Sequence, residues 1–355
     1  MNIKIILCGI LSLLASSVHA QNSPRVYQNR LTPIQNAKPL LADHPEFIQP
    51  VNDLKRFEAP ILVDDQGADL SVRAWRWSYN ARGIIEIPNR LRADQTAVIM
   101  VHPWGIDDGQ GWKTPEPAGA ADFCTPDKNH LAGKHTREVI DPLLRRLRPQ
   151  VAFVMYSLIG EADPIRKKMY RTFDDNPSKA ERAEAQKQLS RALQKPSYRG
   201  QGLPETLSLN SDTPVIDYFE QFPGLSARDH YNAPGFWDVP VPVSSDVSVH
   251  HDDVLVFDVE GYDRLKQFLK KHGVRHVLLT GYATDMCFCK TTAGFENLSR
   301  DFNVFLVGDA TLATFPANST PAYATNAHIS FASLNHLITQ TSWIQSLSDE
   351  KSSSR

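Results

Sequence analysis

The sequence predicts an α/β fold: a doubly wound, mostly parallel sheet with helices on both faces. Three observations predict it. Continuous apolar runs recur along the chain, as in TAVIMVH (96–102), VAFVMYSLI (151–159), DVLVFDV (253–259), HVLLTG (276–281) and NVFLVGDA (303–310). Unbroken runs suit strands buried on both faces. Segments with helically spaced apolar residues lie between them, such as KHTREVIDPLLRRLR (134–148) and YDRLKQFLKKHG (262–273). Strands alternating with helices build a parallel sheet covered on both sides.

From the N-terminus, MNIKIILCGILSLLASSVHA has Lys4, an apolar run over 5–14 and small residues up to Ala20. That is the layout of a signal peptide cleaved after Ala20. The run is too short to cross a bilayer, so the expected product is exported, either periplasmic or secreted. Residues 21–92 read as a Pro-rich arm followed by a small antiparallel β appendage, carried by PILVDD, LSVRAWRWSY and GIIEIP. The main domain spans 93–342. Its first strand, 96–102, leads to a helix over 134–148 that Pro142 should kink, then to strand 151–159. A long insertion, about 161–250, holds a charged helix over 178–195 and Pro-, Gly- and Asp-rich excursions. Strand 253–259 follows, then helix 262–273 with Gly273 as its C-cap. Strand 276–281, a helix from 285 to 300, strand 303–310 and a last helix over 320–342 complete the domain. The tail 343–355 is expected to be disordered.

A chain of 355 residues with formal charge −2 has room for one large domain or two small ones. Its acidic and basic residues are interspersed, which leaves no seat for a nucleic acid. Four cysteines occur. Cys8 leaves with the signal peptide, so Cys124, Cys287 and Cys289 remain, and an odd number excludes a disulfide scaffold.

Doubly wound sheets collect their chemistry at the carboxyl ends of the strands. Three polar residues fall at such ends: His102, Asp258 and Cys287. At the first turn of the helix expected over 285–300, unpaired N–H groups would favour a Cys287 thiolate and could hold an oxyanion. A thiol nucleophile also needs a proton acceptor. His102 can serve, with Asp258 fixing its tautomer.

Each of these residues also has a plain structural reading. Cys287 could be a packed thiol, His102 a partner of a nearby carbonyl, and Asp258 a cap on the following turn. Trp104, Trp112 and Trp237 either line the pocket or pack ordinarily, and Asp107 and Asp108 are alternative acids. Cys289 should point away from Cys287, into the core or toward a disulfide with Cys124. HHDD (250–253) reads as a solvated turn rather than a ligand cluster. No metal site or cofactor is expected. The strand-end HPWG hints at an α/β-hydrolase esterase, but no G-x-S-x-G nucleophile elbow occurs.

GYATDMCFCKTTAGF (281–295) closely resembles the Gly-x-Ala-Thr-Asp-x-Cys-Val-x-x-Thr-Ala segment of isochorismatase-like cysteine hydrolases, the family that includes nicotinamidases. The similarity extends over LKQFLKKHGVRHVLLTG, NVFLVGDATLAT, TAVIMVH and REVIDPLLRRLRPQVAFVMYS, roughly residues 95–160 and 250–340. The resemblance implies Cys287 as nucleophile, the amides of Ala283 and Cys287 as oxyanion hole, and a non-proline cis peptide beside Thr284. It also shows departures. The family's opening strand ends in an aspartate where this chain has His102. The family's lysine falls at Asp258, or at His251 if the register slips. The Asp and His that bind metal in nicotinamidases have no counterpart in MYSLIGEAD. The resemblance therefore implies an amide-type hydrolase with a Cys–His–Asp triad, its pocket near Trp104, Thr284, His251 and Asp107. The alternative is a non-catalytic small-molecule binding protein that keeps the pocket. A small-molecule substrate is the expected partner, without nucleic acid or membrane, and the family admits a homo-oligomer.

Overall fold

A computed structural model describes residues 25–52, 55–103, 126–194, 206, 208, 210–213, 240–314 and 323–347. The strands are β1 (Thr32–Pro33), β2 (Arg56–Glu58), β3 (Leu70–Val72), β4 (Ala74–Ser78), β5 (Gly83–Ile87), β6 (Arg90–Leu91) and β7 (Thr96–Val101). They continue with β8 (Phe153–Leu158), β9 (Val254–Phe257), β10 (His276–Tyr282), β11 (Asn303–Leu312), β12 (Leu337–Thr339) and β13 (Ile344–Ser346). Ten of them form one mixed sheet in the order β1-β2-β5-β4-β12-β11-β10-β7-β8-β9, and β13-β3-β6 form a second, smaller one. The stretch from β12 to β9 is parallel throughout, as the apolar runs predict.

Period-2 alternation explains why these runs are continuous. Val98 and Met100 of β7 enter one apolar layer, while Ala97, Ile99 and Val101 enter the layer on the other face. Leu278 of β10 joins the first layer, and Val277 and Leu279 join the second. Both faces of each strand are dry, so the polar residues inside them, such as Thr280 of β10 and Asp309 of β11, are buried with hydrogen-bond partners. β10 lies against β7 so closely that a Cβ on Gly281 would come within 2.2 Å of the Val101 carbonyl oxygen, and Gly281 has φ +105°. Only glycine fits there.

The helices are α1 (Pro126–His135), α2 (Asp141–Leu147), α3 (Pro164–Met169), α4 (Lys179–Gln194), α5 (Tyr262–Lys271), α6 (Cys287–Lys290), α7 (Phe295–Leu298) and α8 (Tyr323–Ala332). A π-helical turn, Thr136–Ile140, joins α1 to α2 directly upstream of Pro142. The proline ring would clash with the carbonyl four residues back, and the wider turn makes room for it. Gly273, at φ +75°, closes α5 as expected.

Four elements differ from the sequence expectation. The tail expected to be disordered from 343 onward instead forms β13, which pairs with β3 because Ile344 is buried there. The last helix stops at Ala332 rather than running to 342, and Leu337–Thr339 forms β12 instead. β-Branched Ile338 and Thr339 suit a strand, and β12 bridges β11 to β4. Through it, the N-terminal strands extend the main sheet, and β2 pairs with β5 in parallel, so they are not a purely antiparallel unit. Finally, the helix expected over 285–300 is two single turns, α6 and α7, parted by Thr291–Gly294. Thr291 turns extended, with ψ 177°, and both threonines there spend their hydroxyls on Asp258.

Candidate active site

The carboxyl edge of the parallel sheet brings together His102, Asp258 and Cys287. His102 follows β7, Asp258 opens the 3-10 turn (Asp258–Glu260) after β9, and Cys287 opens α6 beyond β10. His102 has φ +50°, a left-handed backbone that is costly for a side-chain-bearing residue and persists only where its surroundings enforce it. Its amide donates to the Ser157 carbonyl at 2.9 Å, which fixes the turn leaving the strand.

The imidazole is buried, and its Nε2 lies 2.8 Å from Asp258 Oδ2. A carboxylate only accepts, so Nε2 carries the hydrogen. The charge of Cys287 acts on the same ring. Burial pulls the imidazole's pKa down, but the Cys287 and Asp258 charges outweigh it and push it up to about 10. This is the balance expected of a buried imidazolium beside a carboxylate. Cys287 is a free, partly accessible thiol.

Asp258 is held from three sides besides His102. Ser157 Oγ donates to its Oδ1 at 2.7 Å, Thr291 Oγ1 donates to its Oδ2, and Thr292 Oγ1 donates to its backbone carbonyl at 2.6 Å. Thr291 is also tied to the nucleophile's turn, its amide donating to the Cys287 carbonyl at 3.0 Å. The sequence reading missed Ser157, Thr291 and Thr292. Ser157 interrupts the apolar run of β8 one residue before its end, and that break was the available signal.

The loop before the sulfur winds around one carbonyl: the amides of Met286 and Phe288 both donate to Ala283 O, at 3.0 and 3.1 Å. Among the described residues, the amides of Ala283 and Cys287 take no backbone acceptor. A non-proline cis peptide joins Tyr282 to Ala283, one bond earlier than the link between Ala283 and Thr284. Because α6 is one turn long, its dipole is a weaker support for a thiolate than the sequence reading supposed. The imidazole supplies the local positive charge instead.

Other candidates fall elsewhere. His251 sits on an exposed turn before β9, 3.0 Å from Asp252, at the opposite end of that strand from Asp258, so it does not reach the pocket. Thr284 is packed inside, and its carbonyl accepts from Cys289 Sγ. Cys289 is a buried free thiol 3.2 Å from His328 Nε2, and burial pushes its pKa up to about 12, so it is a core residue and not a second nucleophile. Trp104, Asp107, Asp108, Trp112, Cys124, Trp237 and the leader 1–20 lie outside the described residues. A cavity of about 410 Å³ lies apart from the triad, between β4 and α8, with Trp75, Trp77, Ile84 and Ile329 among its walls. Its polar lining is Asn326, Ser330 and Ser333 with the Tyr79 ring.

Fold and site define an α/β protein with a Cys–His–Asp cluster on the carboxyl edge of its sheet. Residues 241–340 match the family model of the isochorismatase domain. Comparison with curated proteins finds no match. Solved structures that resemble the chain include a cysteine hydrolase from Pseudomonas syringae pv. phaseolicola 1448A, at 18% identity, covering 71% of this chain and 91% of that one, with TM-score 0.37. Another is an isochorismatase family protein from Desulfovibrio vulgaris subsp. vulgaris str. Hildenborough, at 13% identity, 74% and 100% coverage and TM-score 0.38. A third is nicotinamidase PncA from Bacillus subtilis, at 10% identity, 69% and 99% coverage and TM-score 0.32.

Proposed function

We propose that this protein hydrolyses a C–N bond of amide type through a thioester on Cys287. The single observation that carries this reading is the buried His102 imidazole, 2.8 Å from the Asp258 carboxylate and raised in pKa by the charges of Cys287 and Asp258. In the resting site the proton shared by Cys287 and His102 lies on the ring, as a thiolate and an imidazolium. The sulfur attacks the carbonyl carbon, forming a C–S bond and a tetrahedral oxyanion that the amides of Ala283 and Cys287 stabilise. The imidazolium then protonates the leaving nitrogen as the C–N bond breaks. Neutral His102 next draws a proton from water, whose oxygen attacks the thioester. The C–S bond breaks, the acid departs, and the thiolate–imidazolium pair is restored.

The swap from the family's aspartate and lysine is chemically sound because it inverts both charges together. An imidazole replaces the acidic base, and a carboxylate replaces the ammonium beside it. We further infer export from the leader-like residues 1–20; N-terminal sequencing of the secreted or periplasmic form should begin at Gln21. The catalytic reading is tested by incubating the protein with a panel of small primary amides, measuring ammonia release and trapping the acyl adduct by mass spectrometry. Release that requires Cys287, with an adduct on that residue, is expected. Binding of panel members with no release and no adduct would replace it with the binding-protein reading.

A further inference from the structure

We propose that Ser157 and Thr291 are positioning residues for the catalytic pair, present because a carboxylate stands where the family places a lysine. The inference rests on the proposed thiol chemistry. A lysine ammonium is a donor and seeks acceptors; a carboxylate is an acceptor and must be surrounded by donors. Asp258 is so surrounded, with Ser157 Oγ on Oδ1 and Thr291 Oγ1 together with His102 Nε2 on Oδ2. The backbone of each residue also holds a second part of the site. Ser157, fully buried on β8, accepts the His102 amide through its carbonyl, so one residue sets both the histidine's backbone and the carboxylate facing its ring. Thr291 donates its amide to the Cys287 carbonyl, so one residue spans the carboxylate and the turn bearing the sulfur.

The local fold is bent to make this possible. Thr291 leaves the helical path one turn after Cys287 and directs its hydroxyl back to β9. Asn297 Nδ2 then holds the Thr291 carbonyl at 3.0 Å, and Gly294, where a Cβ would meet the Cys289 carbonyl oxygen at 2.6 Å, lets the chain double back. The charges that act on the His102 ring are those of Cys287 and Asp258. The groups facing Asp258 are His102 from the end of β7, Ser157 from β8 and the two threonines after α6. Removing one hydroxyl leaves the carboxylate free to swing from the ring, which loosens the imidazolium that supports the thiolate.

The experiment measures iodoacetamide alkylation of Cys287 against pH in the full chain, for wild type, Ser157→Ala, Thr291→Val and Thr291→Ser. Wild-type alkylation at pH 7 should exceed that of free cysteine, and a wild type that alkylates no faster than free cysteine would refute the proposed thiol chemistry itself. Given a fast wild type, Thr291→Val and Ser157→Ala should each lower the pH 7 rate about tenfold, the worth of one hydrogen bond to a charged group. Thr291→Ser, which keeps the hydroxyl, should restore the wild-type profile. If Ser157→Ala and Thr291→Val are merely less stable, with wild-type alkylation profiles, the positioning role is wrong. Should Thr291→Val fail to fold, Ser157→Ala alone decides, since a serine-to-alanine change adds no bulk inside β8.

Discussion

His102 and Asp258 lie 156 residues apart in sequence and 2.8 Å apart in space. Two strands that are not adjacent in the chain, β7 and β9, end beside β8, and Ser157 of β8 touches both residues. The pairing is therefore a property of sheet order.

The first prediction concerns pH. His102 has its pKa raised to about 10, so the imidazolium is present below that value and is lost as pH rises through it. Hydrolysis of any substrate whose nitrogen must be protonated should hold across neutral pH and fall above about 10. His102→Asn, which cannot carry the proton, should cost on the order of 10²–10⁴-fold in kcat/KM. Steady-state rates from pH 6 to 11 check both points.

Asp258→Asn should separate orientation from charge. The amide keeps the size but removes the anion, leaving the hydroxyls of Ser157 and Thr291 facing a weaker acceptor. Turnover should fall while substrate affinity stays close to wild type, because Asp258 faces the ring and not the sulfur. A KM-against-kcat comparison reads this directly.

Gly281→Ala should damage the fold under the site. The new methyl would press on the Val101 backbone at a residue with φ +105°, costing about 3 kcal/mol or more from strain and overpacking together. Urea denaturation would show it as a lowered midpoint.

Asp253→Ala should also destabilise, by about 3–5 kcal/mol, the cost of stranding one member of a buried ion pair. Arg148 holds Asp253 with two bonds of 2.9 Å, and Tyr156 OH donates to it at 2.8 Å. Asp253 also accepts from the His250 amide at 2.8 Å and so anchors the turn at the start of β9, and its loss should lower stability and activity together. Thermal melting and turnover measured on the same sample would show the two effects together.

The sequence makes the central strands and two of the site's three members legible for one physical reason. Strands buried on both faces are mostly apolar, so His102 and Asp258 stand out at the ends of TAVIMV and VLVF. Cys287 is readable from its local motif. The shell around Asp258 is not, because Ser157, Thr291 and Thr292 are common residues whose meaning depends on where strands β8 and β9 lie side by side. The one-turn helix at Cys287 was hidden for a related reason: Thr291 leaves the helix to make a tertiary bond, and local spacing carries no record of that partner. β12 was obscured by its proximity to α8, where a short apolar run can be read with either period.

The central claim is that His102 is an imidazolium sustained by Cys287 and Asp258, and NMR titration of the His102 ring tests it most directly. Ring signals of the protonated form are predicted to persist in wild type until pH approaches about 10, and Cys287→Ala should bring the transition down toward the ordinary histidine range. A wild-type ring that titrates near 6.5, or a transition that ignores the loss of the sulfur, would contradict the account.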